Sequence, residues 1–186
     1  MSQAVHQHTG YTEKDYENLP ADIRAELVDG QLYDMAAPSR LHQELLNALN
    51  YTIYHYLHTK NARCRIYPAP FAVKLSDDSQ TIVEPDLSII CDPKKLTEKG
   101  CSGAPDWIIE IVSPGNPEHD YIDKLRLYKN AGVREYWIVD SQRERIFVYY
   151  WEQEKFEVEM YTFQDTVKVT MYEDLQIDFK NLDLLG

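Results

Sequence analysis

Long apolar runs are missing from this sequence. Its most apolar stretch, Trp107 to Val112, is broken by Glu110, whereas a membrane-spanning helix needs about 20 consecutive apolar residues. No contact with a membrane is expected. The N-terminus, MSQAVHQHTGYTEKDYE, has no basic region followed by an apolar run, so a secretory signal is not expected either. Cysteine is scarce: Cys64, Cys91 and Cys101 form no CxxC pair, and their spacing matches no zinc-finger pattern. They read as reduced thiols of a cytoplasmic protein. Internal repeats, low-complexity tracts and Pro/Gly/Ser linkers are all absent, which predicts a single domain over residues 11–186. The polar residues 1–10 are expected to be a disordered tail. Positive charge is also short. There are 19 Lys+Arg against 31 Asp+Glu, a net charge of −12. That argues against a generally basic nucleic-acid coat, but leaves room for a local basic patch or a metal-bridged phosphate site.

What is present suits a globular chain. Of 186 residues, 44% are hydrophobic and 27% charged, and 14 Tyr with three Trp supply large core side chains. Thr12 caps a short predicted helix over Glu13–Asn18, closed by Pro20. Asp29-Gly30 between two short alternating runs predicts a hairpin. Ser39 is the expected N-cap of the longest helix, whose Leu41, Leu45, Leu46, Leu49, Ile53 and Leu57 recur at helical spacing. Strands are expected at 64–67, 71–75 and 86–91, with a polar turn at 76–79 and a loop over 93–105. Residues 106–112 form the most buried-looking strand. Asn116-Pro117-Glu118 reads as a helix start, Gly132 as its end, and Val133 to Asp140 as a returning strand. Residues 106–140 are thus a predicted β-α-β unit with parallel strands. Strands near 145–151, 156–163 and 175–179 complete an α/β (α+β) chain with a mixed sheet.

Three features carry chemistry. Asp86, after Pro85, opens a strand. Glu110 is one charge in an apolar strand, a costly position unless the carboxylate is paired or binds metal. Asp120 and Lys124 stand four residues apart, on one face of the following helix. If the strands of Asp86 and Glu110 are neighbours, their carboxylates converge on a site for Mg²⁺ or Mn²⁺, ions that prefer oxygen ligands. A Lys on the crossover helix could reach the attacking water or a phosphate oxygen. Each feature also has a plainer reading. Asp86 could be a strand-entry turn residue, Glu110 could face water from an edge strand, and Asp120–Lys124 could be a surface ion pair contributing ~0.3–0.5 kcal/mol. Tyr128, Tyr136 and Trp137 read as core or interface residues.

Taken together, several segments resemble one family. They are Glu26-Leu27-Val28-Asp29-Gly30, Pro38-Ser39, His42, Pro85-Asp86, Glu110 followed by Ser113-Pro114, Asp120-x-x-x-Lys124-x-x-x-Tyr128, and Gly132-Val133-x-Glu135-Tyr136-Trp137-Ile138-Val139-Asp140. This pattern, over about residues 12–180, is similar to the Uma-type restriction endonucleases of the PD-(D/E)XK nuclease superfamily. The resemblance implies a restriction-endonuclease-like core, a central mixed β-sheet flanked by helices, and metal-dependent cleavage of DNA. It also implies that Asp86 and Glu110 ligate the metal, that Glu26 is a further acid, and that His42 contacts a ligand or a neighbouring acid. The superfamily pattern places a Lys two residues after the second acid, on the same strand face. Val112 stands there, and the resembling family shows a similar substitution, with Lys124 on the helix as the stand-in. Two-fold symmetry suits cutting both strands of a duplex, so a homodimer is expected.

The rival expectation is a catalytically inactive interaction or DNA-binding module that kept the nuclease fold. Glu110 tied up by Lys124, or facing bulk solvent, would favour it. A third is a hydrolase of smaller phosphate esters, which a narrow closed pocket would favour. Residues 120–146 hold six bases against five acids, whereas residues 151–186 hold three bases against nine acids. Positive charge is therefore concentrated around the candidate helix and the hairpin that follows, which permits contact with a phosphate backbone.

Overall fold

Asp29 and Gly30 both adopt positive φ, 48° and 75°, the turn that matches the twist of a two-residue hairpin. In a computed structural model of the chain, residues 10–20, 22–76, 80–112, 119–152, 155–182 and 184 are described. Residues 1–9 of the expected disordered tail (1–10), most of the polar turn (77–79) and the helix start at Asn116 lie outside them, whereas the Gly10 N–H donates to the Gly30 carbonyl at 3.0 Å. Helix α1 (Glu13–Glu17) precedes the hairpin β1 (Ala25–Val28) and β2 (Gln31–Asp34). The long helix α2 (Arg40–Thr59) begins at Ser39, whose side chain accepts from the His42 N–H at 3.2 Å. Strands β3 (Arg65–Pro68), β4 (Ala72–Lys74), β5 (Ile82–Val83) and β6 (Leu87–Ile90) follow.

The segment 93–105 departs from its expected loop. It holds a 3₁₀ turn and the short strands β7 (Leu96–Thr97) and β8 (Gly100–Ser102). Gly100, which looks like a loop residue in sequence, is there for close approach. A Cβ on it would lie 2.1 Å from the Ala72 carbonyl oxygen of the paired strand β4. Strand β9 (Trp107–Ile111) leads to a wide helical turn (His119–Asp123) and helix α3 (Lys124–Ala131), which Gly132 ends in the left-handed conformation. The rest is strand: β10 (Glu135–Asp140), β11 (Arg145–Glu152), β12 (Lys155–Thr162), β13 (Thr166–Lys168) and β14 (Gln176–Asp178).

The central sheet runs β12-β11-β10-β9-β6-β3, and β9 pairs parallel with β10, as the crossover helix requires. A second sheet runs β2-β1-β5-β4-β8-β7, and β13 pairs with β14. Alternation along the central strands sorts the core into two layers. Leu87, Ile89, Trp107, Ile109, Ile111, Trp137 and Val139 face α2 and the β13–β14 hairpin. Ile90, Ile108, Val112, Tyr136 and Ile138 face α3 and the second sheet. The buried Glu135 carboxylate ties the C-terminal segment to β10, accepting from Trp137 Nε1 at 2.7 Å and from the Thr170 and Met171 N–H groups at 3.1 and 2.8 Å. This is a mixed α+β fold, a central mixed sheet flanked by helices.

The cysteines correct the reduced-thiol reading. Cys64 and Cys91 are joined by a disulfide, and Cys101 alone keeps a thiol. The antiparallel register that pairs Arg65 with Ile90 brings them face to face one step further along, a proximity that a separation of 27 residues in sequence does not disclose. No described helix is long and apolar enough to cross a membrane.

Candidate active site

Strand parity places the acids. Ile109 and Ile111 point to the α2 side, so Glu110 points with Ile108 and Val112 toward α3. Strand β6 pairs antiparallel with β9, Leu87 opposite Ile109 and Ser88 opposite Ile108. Asp86, one residue before β6, lies at the end of that strand nearest Glu110. The two acids, 24 positions apart in sequence, come from neighbouring segments of the central sheet. Asp86 is fixed from two sides. Its Oδ2 accepts the Ile111 N–H at 2.8 Å and lies 3.1 Å from His42 Nε2. In the tautomer protonated at Nε2, the imidazole donates to that oxygen. His42 reaches it from the first turn of α2 and is itself buried.

Lys124 joins the remaining acids. It is the first residue of α3, and only 5% of it is exposed. Its Nζ stands 2.9 Å from Glu110 Oε1 and 3.2 Å from Glu26 Oε2. Glu26 comes from β1, is equally buried, and its Oε1 accepts the Glu84 N–H at 3.0 Å. Glu84 is in turn gripped by Arg24 at 2.6 Å and by the Tyr16 hydroxyl of α1 at 2.9 Å. A buried ammonium between two buried carboxylates is a charge cluster, since ions survive burial only when paired. The wide π-type turn before Lys124 is a kind of helix irregularity common at functional sites.

Of the five residues singled out in sequence, Glu26, Glu110 and Lys124 meet in one charge cluster, while His42 and Asp86 form a separate contact that reaches β9 through the Ile111 N–H. Asp120 has a side chain outside what is described. Sequence reasoning placed Tyr128 in the core or an interface and not among the site residues. It is fully buried, and its hydroxyl donates to Glu110 Oε1 at 2.6 Å. Its spacing of four from Lys124 puts both on one helical face and was the available signal. The Ile111 N–H carries no sequence signal at all. Val112, where the superfamily pattern has Lys, is buried against Tyr128 and Ile138 in the apolar layer.

This arrangement, a buried lysine between carboxylates with Asp86 held on the adjacent segment, stands in a chain that has counterparts among known proteins. The sequence profile of Uma2, described as "Putative restriction endonuclease", matches residues 13–183. The chain belongs to this family. An uncharacterised protein of Synechocystis sp., slr1290, is 27% identical over 126 residues, 67% of this chain and 65% of that protein. The matched region thus spans under two-thirds of the relative's length. A crystal structure of a "putative nuclease belonging to DUF820" from Anabaena variabilis superposes with a TM-score of 0.74 at 20% identity, covering 92% of this chain and 96% of that one. At that identity the likeness establishes the shared fold.

Proposed function

We propose that this Uma2-family chain is a divalent-metal-dependent endodeoxyribonuclease that hydrolyses DNA phosphodiesters. The observation that supports the reading is the buried Lys124 ammonium against Glu110 and Glu26, with Asp86 bonded to the N–H of Ile111, the residue after Glu110. Among the described residues no group of three or more His, Cys, Asp or Glu is arranged to hold a metal. Two carboxylates nonetheless fit Mg²⁺, which is commonly held by one or two carboxylates together with waters and substrate phosphate. Asp86 and Glu110 are the residues that would hold it, and Mn²⁺ accepts the same oxygens. When bound, the ion polarises the phosphate and offsets its charge.

The other roles belong to the chain's own groups. His42 and the Ile111 N–H orient Asp86, and Tyr128 orients Glu110. Lys124 positions the attacking water and stabilises negative charge developing on the phosphate. Glu26 holds Lys124 in place. A homodimer suits the architecture: β12 is an edge strand of the central sheet and exposes Phe156, Val158 and Met160 along one face. A second copy pairing antiparallel along that edge would cover the stripe about a two-fold axis.

A second reading, a non-catalytic module on the same fold, draws on Val112 and on the internal pairing of Glu110 by Lys124. Cleavage decides between them. Purified protein is incubated with Mg²⁺ or Mn²⁺ and long duplex DNA, beside an Asp86→Ala, Glu110→Ala double variant. Cutting that vanishes in the double variant is the expected result. Equal cutting by both proteins would remove these residues from the chemistry, and no cutting of duplex, single-stranded or branched DNA would favour the module.

A further inference from the structure

Beside the carboxylates lies a cleft of about 480 Å³ between the β1–β2 hairpin and α3, a size typical of small-molecule pockets. The two sites share their walls. Glu26 is paired with Tyr33 across the hairpin, and Val28 with Gln31. Directly opposed side chains lie on one face of a sheet, so the face that presents Glu26 to Lys124 continues as the hairpin wall of the cleft. On α3, Asp123 and Leu127 lie one residue before and three after Lys124, and both line the cleft. Arg126 and Asn130, four residues apart on the same helix, complete that wall. The cleft begins where the carboxylate site ends.

Its chemistry is wrong for a phosphate. Two carboxylates, Asp29 and Asp123, outnumber the one guanidinium of Arg126. The Tyr33 hydroxyl is held above its ordinary pKa by burial first, then by Asp123 and Asp29. The lining instead suits a flat, neutral heterocycle. Val28, Leu127 and the Tyr33 ring give apolar surface, Asn130 and Asp29 give acceptors for amino protons, and Gln31 Oε1 accepts the Tyr33 hydroxyl at 2.9 Å. Arg126 and Asn130 make no side-chain hydrogen bond or ion pair among the described residues.

We propose that this cleft is a base-binding subsite: it takes one unpaired nucleobase bearing an exocyclic amino group, from the nucleotide beside the scissile phosphate. The preferred substrate is then DNA with an unpaired or extruded base next to the cut, a base that a fully stacked duplex does not offer. The inference rests on the nuclease reading for the neighbouring phosphodiester, whereas binding in the cleft needs no cleavage.

The test uses short fluorescein-labelled duplexes that are fully paired, carry one bulged adenine, or carry one bulged thymine. Fluorescence anisotropy without divalent metal reads binding, and gels with Mg²⁺ read cutting. Wild-type protein is expected to bind the bulged adenine roughly tenfold more tightly than the paired duplex, with thymine, which lacks the amino group, weaker than adenine. Tyr33→Ala abolishes that preference and Tyr33→Phe keeps it. Asn130→Ala, at an exposed helical position that leaves the fold alone, narrows the gap between adenine and thymine. Equal binding of paired and bulged DNA, or a preference that survives both Tyr33→Ala and Asn130→Ala, overturns the subsite. Cutting of all three duplexes with no dependence on Tyr33 leaves the nuclease reading standing and removes the subsite. Binding through Tyr33 with no cutting does the reverse.

Discussion

Replacing Lys124 by methionine removes one charge and keeps much of the side chain's volume. The ammonium sits 2.9 Å from Glu110 and 3.2 Å from Glu26, with side chains 6%, 5% and 4% exposed. At an effective dielectric of about 20, unit charges at such separations attract by roughly 5–6 kcal/mol per pair. Desolvation of the three ions opposes most of that gain. Removing one partner of a buried pair nevertheless costs about 3–5 kcal/mol, because the charge left behind is uncompensated. In Lys124→Met that charge is doubled, since two neighbouring carboxylates lose their shared cation. The expected loss near neutral pH is therefore about 3–5 kcal/mol by urea denaturation, or roughly 6–20 °C in Tm for a chain of this size. Two further signatures distinguish lost charge from lost packing. The deficit should narrow at lower pH, as protonation of one carboxylate relieves the repulsion, and it should shrink in a Glu26→Gln background. If Asp86 and Glu110 hold a divalent ion, Mg²⁺ should raise the variant's Tm more than that of the wild type. A loss below about 0.5 kcal/mol, the range of ordinary surface substitutions, would show that Lys124 does not compensate these acids. An undiminished loss beside Glu26→Gln would show that the Lys124 charge is not coupled to Glu26.

Other outcomes follow from groups outside the carboxylate cluster. Burial alone would raise the Asp140 carboxyl, but its bonds to the Arg143 side chain and N–H and to the Tyr121 hydroxyl outweigh burial and hold it below its ordinary 3.8. A depressed carboxyl contributes stability above its unfolded value and loses it as pH falls toward the folded one. Asp140→Asn should thus lower stability by about 2–3 kcal/mol at neutral pH, and the gap to wild type should close below about pH 4, read by denaturant titration at each pH. Unreduced, denatured protein should yield one titratable thiol, Cys101, and three after reduction. Reduction should cost roughly 3 kcal/mol of stability, in keeping with the loop the disulfide closes. In the native protein, burial pushes the Cys101 thiol up to about 11, so alkylation at neutral pH should be slow.

Much of the local structure is legible from residue order because its causes are local. Asp29-Gly30 makes a hairpin since both residues tolerate positive φ, and Ser39 starts α2 by accepting the His42 N–H. Gly132 ends α3 because it takes the left-handed conformation without strain. Glu110 announces itself as one charge among isoleucines, which demands a partner wherever the strand is buried. The partner's identity is a different matter. That Asp86 meets the Ile111 N–H beside Glu110 follows from β6 pairing with β9, and that Glu26 meets Lys124 follows from the hairpin packing against α3. Both contacts span long stretches of chain, and neither sequence spacing nor propensity encodes a distance across strands. The same is true of Cys64 and Cys91, which residue order suggests are reduced thiols and register joins. It also holds for Gly100, whose role is visible only where β8 crosses close to β4. Residue order determined which side chains this protein has available and which elements carry them. The tertiary structure alone decided which of them meet, because side-chain direction is set by strand parity and helix phase, while contact is set by how those elements pack.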